Sequence, residues 1–245
     1  MIEKSDIISA TKANRLYWLG RYEERVYLTL HLLNKCYDKM IDGDPADSKS
    51  FRQRLDVGEK YKTQEAFTLG MLYDEENPSS VISALRFSMD NAMMLREDIM
   101  SETLSYIEMS VATMQRCKAQ YANNEAALKD LPYGIALSDL QQLIDWSLAF
   151  WGSTGQRVLN NKALCIMRIG RNVEYMDMLL RFEYPFHRVA IAYDSLRRYC
   201  FEMRDALDEN ICGQLDNLIS EDLYDPTDET YKFKLIKFIN QLVRI

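Results

Sequence analysis

A chain of 245 residues, 47% hydrophobic and 27% charged, can bury enough apolar surface to fold without disulfide or metal staples, far from the composition of disordered chains. Its net charge of −7 leaves no broad basic surface to neutralise phosphates, which argues against nucleic acid as a partner. No run approaches the ~18 apolar residues of a membrane span, and the first 20 residues carry Glu3, Lys4, Asp6, Lys12 and Arg15, so neither a signal peptide nor a membrane span is expected.

Nine glycines and five prolines are roughly half of the usual ~12% share, which predicts few tight turns and therefore long elements. Cys36, Cys117, Cys165, Cys200 and Cys212 are widely spaced and contain no Cys-x-x-Cys. This odd set reads as reduced thiols, which points to the cytoplasm.

Taken in chain order, Leu16, Leu19, Val26, Leu30, Leu33, Tyr37 and Met40 recur in steps of three, four and seven, which lays one apolar stripe along a helix. That helix should end near Asp42-Gly43-Asp44-Pro45. A weaker pattern from Phe51 to Leu72, interrupted by Gly58 and Gly70, predicts short helices. Asn77-Pro78-Ser79-Ser80 offers an Asn cap and a proline at the first helical position, so a long helix is expected to start there. Its stripe runs through Leu85, Met89, Ala92, Arg96, Ile99, Thr103 and Tyr106, then Ile107, Val111 and Met114 to the Asn123-Asn124 break. Ser138-Asp139-Leu140-Gln141 reads as a capping box opening a helix that carries Trp146, Phe150 and Trp151, with Gly152 and Gly155 to end or kink it. Further helices are expected over 156–183, 187–210 and 228–244, the last with Tyr231, Leu235, Phe238 and Leu242 on one face. Pro45, Pro78, Pro132, Pro185 and Pro226 mark breaks between them. No segment alternates as a strand would, so the fold class is all-α: a bundle of long helices, read as one domain over residues 1–245.

Placing residue 20 over residue 170 aligns Leu19-Gly20-Arg21 with Ile169-Gly170-Arg171, Glu24 with Glu174 and Leu30 with Leu180. The constant offset of about 150 reads as an internal duplication. A glycine inside a helix is unfavourable by ~1 kcal/mol relative to alanine. The matched pair therefore predicts close approach of another backbone at each, in two helix crossings related by an approximate twofold.

The segment from Ala13 to Arg25, Ala-Asn-Arg-Leu-Tyr-Trp-Leu-Gly-Arg-Tyr-Glu-Glu-Arg, is followed by Asn77-Pro78-Ser79-Ser80, Asp90-Asn91-Ala92, Arg96-Glu97 and Ser101-Glu102. Together these resemble the alpha-E family, an all-helical domain known for a Glu-Arg motif. Asp90 stands where that family usually has Glu, and Tyr175 replaces the arginine of the second Glu-Arg pair. The resemblance implies work alongside ATP-grasp ligases and transglutaminase-like peptidases, hence a part in peptide synthesis or modification. The chain has no Gly-x-x-x-x-Gly-Lys-Ser/Thr phosphate loop and no recognisable cysteine-protease signature, so ligation chemistry would belong to the partner.

The candidate site residues are Arg21, Glu24, Arg25, Asp90, Asn91, Arg96, Arg171 and Glu174. Arg21 can reach Glu24 at i+3, whereas Glu24 and Arg25 point about 100° apart. Glu23 and Arg96 fall on apolar stripes, so both are expected near helix interfaces, where charge is costly unless paired. One reading joins these residues in an interhelical salt-bridge network. The other makes them a cleft in which arginine forks hold a carboxylate or phosphate and a carboxylate receives an amine. The preferred function is a non-catalytic interaction or substrate-binding component; the alternative is an enzyme acting on a peptide or amino-acid-like substrate through Glu24 and its neighbouring arginines. No catalytic residue, cofactor or metal is assigned. A di-iron bundle needs Glu-x-x-His pairs, and neither His31 nor His187 follows a Glu by three. The methionines at 89, 93, 94, 100, 109 and 114, and the Trp146, Phe150 and Trp151 cluster, read as core filling.

Overall fold

The computed structural model describes residues 8–41, 46–55, 57, 60–123, 134–158, 160–203 and 208–243, with the side chains of 36–41 and 46–48 left aside. Among the described residues there are eleven helices and no strand, as the absence of alternating segments predicts. The helices are α1 (Ala10–Ile41), α2 (Ala46–Arg54), α3 (Gln64–Tyr73), α4 (Val81–Met94), α5 (Arg96–Ile99), α6 (Ser101–Asn123), α7 (Leu137–Arg157), α8 (Asn161–Arg181), α9 (Phe186–Glu202), α10 (Glu209–Leu218) and α11 (Glu229–Gln241). No helix among the described residues is long and apolar enough to cross a membrane. The chain divides into two compact units: Met1–Arg21 with Val158–Ile245, and Tyr22–Arg157. Pro78, Pro185 and Pro226 all lie between helices. The expected breaks at Pro45, Gly58, Pro132 and Asn124 lie outside the described residues.

In the unit Tyr22–Arg157, α4 packs against α3 and α6, and α6 packs against α7. The last two run antiparallel. Arg116 meets Asp139 at 2.7 Å near one end and Arg157 meets Glu102 at 3.0 Å near the other, while Thr103 and Ser153 share a hydroxyl hydrogen bond of 2.7 Å between them. Fully buried Val26, Leu30, Phe67, Ile107, Met114, Leu143 and Phe150 fill the interior.

The long helix expected from Asn77 is three helices, and it starts later. Ser80, not Asn77, caps α4, accepting the Ser83 N–H at 3.2 Å. Asn77 instead folds the turn before it: its side-chain Oδ1 accepts the Ser79 N–H at 3.0 Å, and its side-chain amide donates to the Tyr61 hydroxyl at 3.0 Å. That hydroxyl in turn donates to Asp74 at 2.7 Å. The Tyr61 ring lies so close over Gly70 that a Cβ there would fall 2.1 Å from it, which explains a glycine inside α3. Further along, α4 ends at Leu95, and Met100 between α5 and α6 adopts φ 68° and ψ 154°. This conformation suits glycine and costs a methionine on the order of 1–3 kcal/mol. No glycine or proline announces either break, so the apolar stripe reads straight through them. The capping box expected at Ser138 is also absent. Helix α7 already begins at Leu137 and runs through Gly152 and Gly155 to Arg157, and Asp139 turns to Arg116.

In the unit Met1–Arg21 with Val158–Ile245, α8 packs against α9 and α11, and α10 packs against α11. Side-chain caps set the starts: Asn160 accepts the Ala163 N–H, Asp208 those of Asn210 and Ile211, and Asp228 those of Thr230 and Tyr231. The helix expected over 187–210 stops at Glu202, and Asp208 opens the separate α10. Residues 204–207 lie outside the described set. Glu183, with φ 54°, closes α8: the Tyr184 N–H bonds back to the Leu179 carbonyl at 3.0 Å, satisfying a terminal acceptor.

The first turns of α1 cross α8 through glycine on both sides. A Cβ on Gly20 would sit 2.1 Å from the Met167 carbonyl oxygen, and one on Gly170 2.2 Å from that of Tyr17. The partners Tyr17 and Met167 are themselves 150 positions apart, so the crossing has a local twofold. The two crossings expected from the glycine pair are therefore one, in which each glycine admits the other's helix. The symmetry belongs to this crossing and does not establish a duplicated chain, since Gly20 lies in a 32-residue helix and Gly170 in one of 21.

Either Gly20→Ala or Gly170→Ala drives a methyl group into backbone that cannot yield locally, with an expected loss of about 2–3 kcal/mol in urea unfolding. Gly152→Ala meets nothing within 4 Å and is expected to gain about 0.5–1 kcal/mol in the same experiment by removing backbone freedom from the unfolded chain.

Candidate functional site

The glycine crossing brings Arg21 of α1 onto α8. With 5% of its surface exposed, Arg21 donates from Nε to Glu174, itself 3% exposed, at 2.6 Å. Its Nη1 donates to the Tyr17 hydroxyl at 3.2 Å and to the Asn240 Oδ1 of α11 at 2.8 Å, and its guanidinium lies 5.5 Å from the Trp18 ring centroid. The Asn240 amide passes the chain on to Asp177 at 3.0 Å, and Asp177 receives the Arg181 Nε at 2.5 Å. Burial alone would make Arg21 easier to deprotonate, but the Glu174 carboxylate and the Tyr17 hydroxyl reverse this and hold it above its ordinary value. Two buried opposite charges with these bonds form a locked interhelical fork. Removing one partner would take from the other its counter-charge across the crossing.

In the other unit, Glu23 is 2% exposed at the interface of α1 and α4, where the Ser88 hydroxyl donates to it. Beside it Tyr22 packs against Phe87 with ring centroids 5.1 Å apart. Burial pushes the Glu23 carboxyl up to about 7; the Ser88 bond opposes this and the Glu24 charge adds to it. The expectation that Glu23 sits near an interface holds. Glu24 is also buried, at 3% exposure, and Arg25 is half-buried with its guanidinium 5.8 Å from the Tyr22 ring centroid.

The remaining expected residues differ in burial. Arg171 is half-buried on α8. Asn91 is half-buried and returns its amide to the Phe87 carbonyl at 2.8 Å. Asp90 and Arg96 are exposed, so neither belongs to a buried network. Arg96 was expected on the stripe continuing from Ala92, but the break at Leu95 resets the helical phase and turns it to solvent. Of the six methionines expected in the core only Met114 is buried, while Met93 and Met94 are 46% and 67% exposed. In the aromatic cluster Phe150 and Trp151 are core residues and Trp146 is half-exposed.

Asp90 does line a groove. Between α4 and α6 lies a cavity of about 510 Å³ whose walls include Ile82, Leu85, Met89, Val111 and Met114. Arg86 and Asp90, one turn apart on α4, also line it, and the Lys118–Glu75 pair at 2.5 Å lies at the same cavity. Apolar walls of this kind hold an apolar side chain, while a carboxylate and a guanidinium on one helix receive an amine and a carboxylate.

The model of Alpha-E, "a predicted alpha-helical domain with a conserved ER motif", matches residues 9–207. The chain belongs to the Alpha-E family. No curated protein and no solved structure matches this Alpha-E chain. The match covers α1 to α9 and stops before α10 and α11, so Asn240, which completes the Arg21 network, comes from beyond it. Asp177, Asn240 and Ser88 were not among the expected site residues. Asp177 carries a faint signal, as an acid three residues after Glu174 on the same helix; Asn240 carries none, because its partners are 63 and 219 positions away.

Two measurements test these assignments. Glu23 is ionised in the unfolded chain above 4.5 but protonated in the folded chain up to about 7, so its contribution is whole below pH 4.5 and is lost as the pH rises through 7. Glu23→Gln should therefore remove a destabilisation of about 3 kcal/mol between pH 5 and pH 8, seen as a flatter pH dependence of unfolding free energy. Arg21→Met is expected to cost about 3–5 kcal/mol, and Arg21→Met with Glu174→Leu distinctly less, because the double change removes a buried charge together with its counter-charge.

Proposed function

We propose that this chain is a non-catalytic, cytoplasmic component that binds a peptide or amino-acid-like substrate and serves an ATP-grasp ligase and a transglutaminase-like peptidase in peptide synthesis or modification. The observation that carries the reading is the α4/α6 groove, where Arg86 and Asp90 stand beside apolar walls of the size a side chain needs. Membership of the Alpha-E family supports the association with the two enzymes. The buried Arg21–Glu174 pair supports a binding role over chemistry, because both groups are spent on holding helices together. Cys117, Cys165, Cys200 and Cys212 are all free thiols, in keeping with a reducing compartment.

Binding of short peptides with an apolar first residue and free termini, followed by calorimetry and by thermal melting, tests the reading. The wild-type chain should bind and melt higher with peptide. Asp90→Lys should weaken binding about tenfold or more while leaving the melting temperature of the free chain unchanged, as the residue is exposed. No peptide-dependent shift, together with no ligase or peptidase recovered on a tagged chain, would count against it.

A further inference from the structure

Helices α9 and α10 border a cavity of about 360 Å³ within the unit Met1–Arg21 with Val158–Ile245. Its floor is apolar: Leu196 and Leu242 are 0% and 2% exposed. The Asp208 N–H bonds to the Leu242 carbonyl at 3.1 Å, which ties the start of α10 to the C-terminal cap of α11. One end of the cavity holds a matched pair of charges. Asp216 Oδ1 accepts the Tyr193 hydroxyl at 2.7 Å and lies 3.3 Å from Arg197 Nε, and the Arg197 guanidinium lies 5.9 Å from the Tyr193 ring centroid. Two turns earlier on α10, about 10 Å along its axis, Glu209 lines the same cavity, and its carboxylate has no hydrogen bond or ion pair among the described residues.

The wall itself is neutral and roomy. Cys200, only 6% exposed, lines it with a thiol that has no hydrogen bond among the described residues. Burial, aided by Cys212, pushes that thiol up to about 12, so it stays uncharged, with a sulfur that is a weak acceptor. Gly213 adds no side chain, and a Cβ there would meet nothing within 4 Å. The charged groups that line the cavity are Arg197, Glu209 and Asp216. The N-terminal dipole of α10 is already met by the Asp208 cap, so negative charge is in excess. The Cys212 thiol registers this: after burial, the charges of Asp216, Asp208 and Glu209 raise it further. An apolar floor, a buried thiol without a partner and one uncompensated carboxylate suit an organic cation. We propose that this cavity binds a small primary amine with an apolar body, the ammonium against Glu209 and the body over Leu196 and Leu242 in the space that Gly213 leaves open. The site belongs to a different unit from the α4/α6 groove and does not rest on the function proposed for that groove. Its α10 wall and Leu242 lie beyond the residues that the Alpha-E model matches.

Calorimetric titration of the full chain at neutral pH with phenethylamine, over about 0.01–10 mM as suits a ligand of this size, should show binding. Phenethyl alcohol and hydrocinnamate, of like size but without the positive charge, should bind about fivefold more weakly or worse. Glu209→Gln should weaken the amine about fivefold and leave the alcohol unchanged. Gly213→Leu fills the cavity and should abolish amine binding, with a melting temperature at or above wild type because its Cβ meets no atom and a glycine leaves the helix interior. Asp90→Lys, in the α4/α6 groove, should leave amine binding unchanged. The proposal is overturned if the amine does not bind, if the alcohol or the acid binds as tightly, or if binding survives Gly213→Leu. Loss of amine binding in Asp90→Lys would also overturn it, by moving the amine to the α4/α6 groove.

Discussion

The structure of the first unit depends on one close contact, the crossing of α1 and α8 at Gly20 and Gly170. The two backbones approach to where neither tolerates a Cβ, and that approach sets Arg21 within 2.6 Å of Glu174. A wider crossing would leave a guanidinium and a carboxylate buried and apart, which is far costlier than either group in water. Packing and electrostatics here are one constraint. The glycines make the distance possible, and the buried ion pair fits only that distance.

The same arrangement explains why α11 matters although it lies beyond the residues that the Alpha-E model matches. Arg21 has more donors than Glu174 and Tyr17 can use, and Asp177 has acceptor capacity left after Arg181. A carboxamide satisfies both at once, accepting from the first and donating to the second, and Asn240 supplies it. The buried face of α11, with Leu235 and Ile239 fully enclosed, places that amide. In the other unit the corresponding role falls to smaller groups. Ser88 serves Glu23, and Asn77 and Asp74 hold the Tyr61 hydroxyl, so that the turn before α4 is fixed by side chains before the helix begins.

Where the reading of sequence and the folded chain part, they do so at breaks that carry no glycine or proline. The apolar stripe from Leu85 to Met114 is real at both ends, since Leu85, Ala92, Ile99, Ile107 and Met114 are all buried. It cannot reveal that the backbone stops at Leu95 and again at the strained Met100, so that α4 packs against α6, because each helix keeps its own apolar spacing up to the break. Arg96 shows the consequence: its spacing from Ala92 reads as part of the stripe, and beyond the break its environment is solvent. The exposed Met93 and Met94 lie at the end of α4 just before that break.

Residue pattern alone determined the helical class, the glycine approach, the burial of Glu23 and membership of the Alpha-E family, because periodicity, propensity and a short motif are local properties that survive without coordinates. Only the tertiary structure decided that the two glycines share a single crossing, that Arg21 pairs with Glu174 and borrows Asn240, and that Asp90 faces a groove while Arg96 faces water. Each of these depends on which distant segments meet, or on where a helix loses phase. Neither is written in the spacing of residues along one helix.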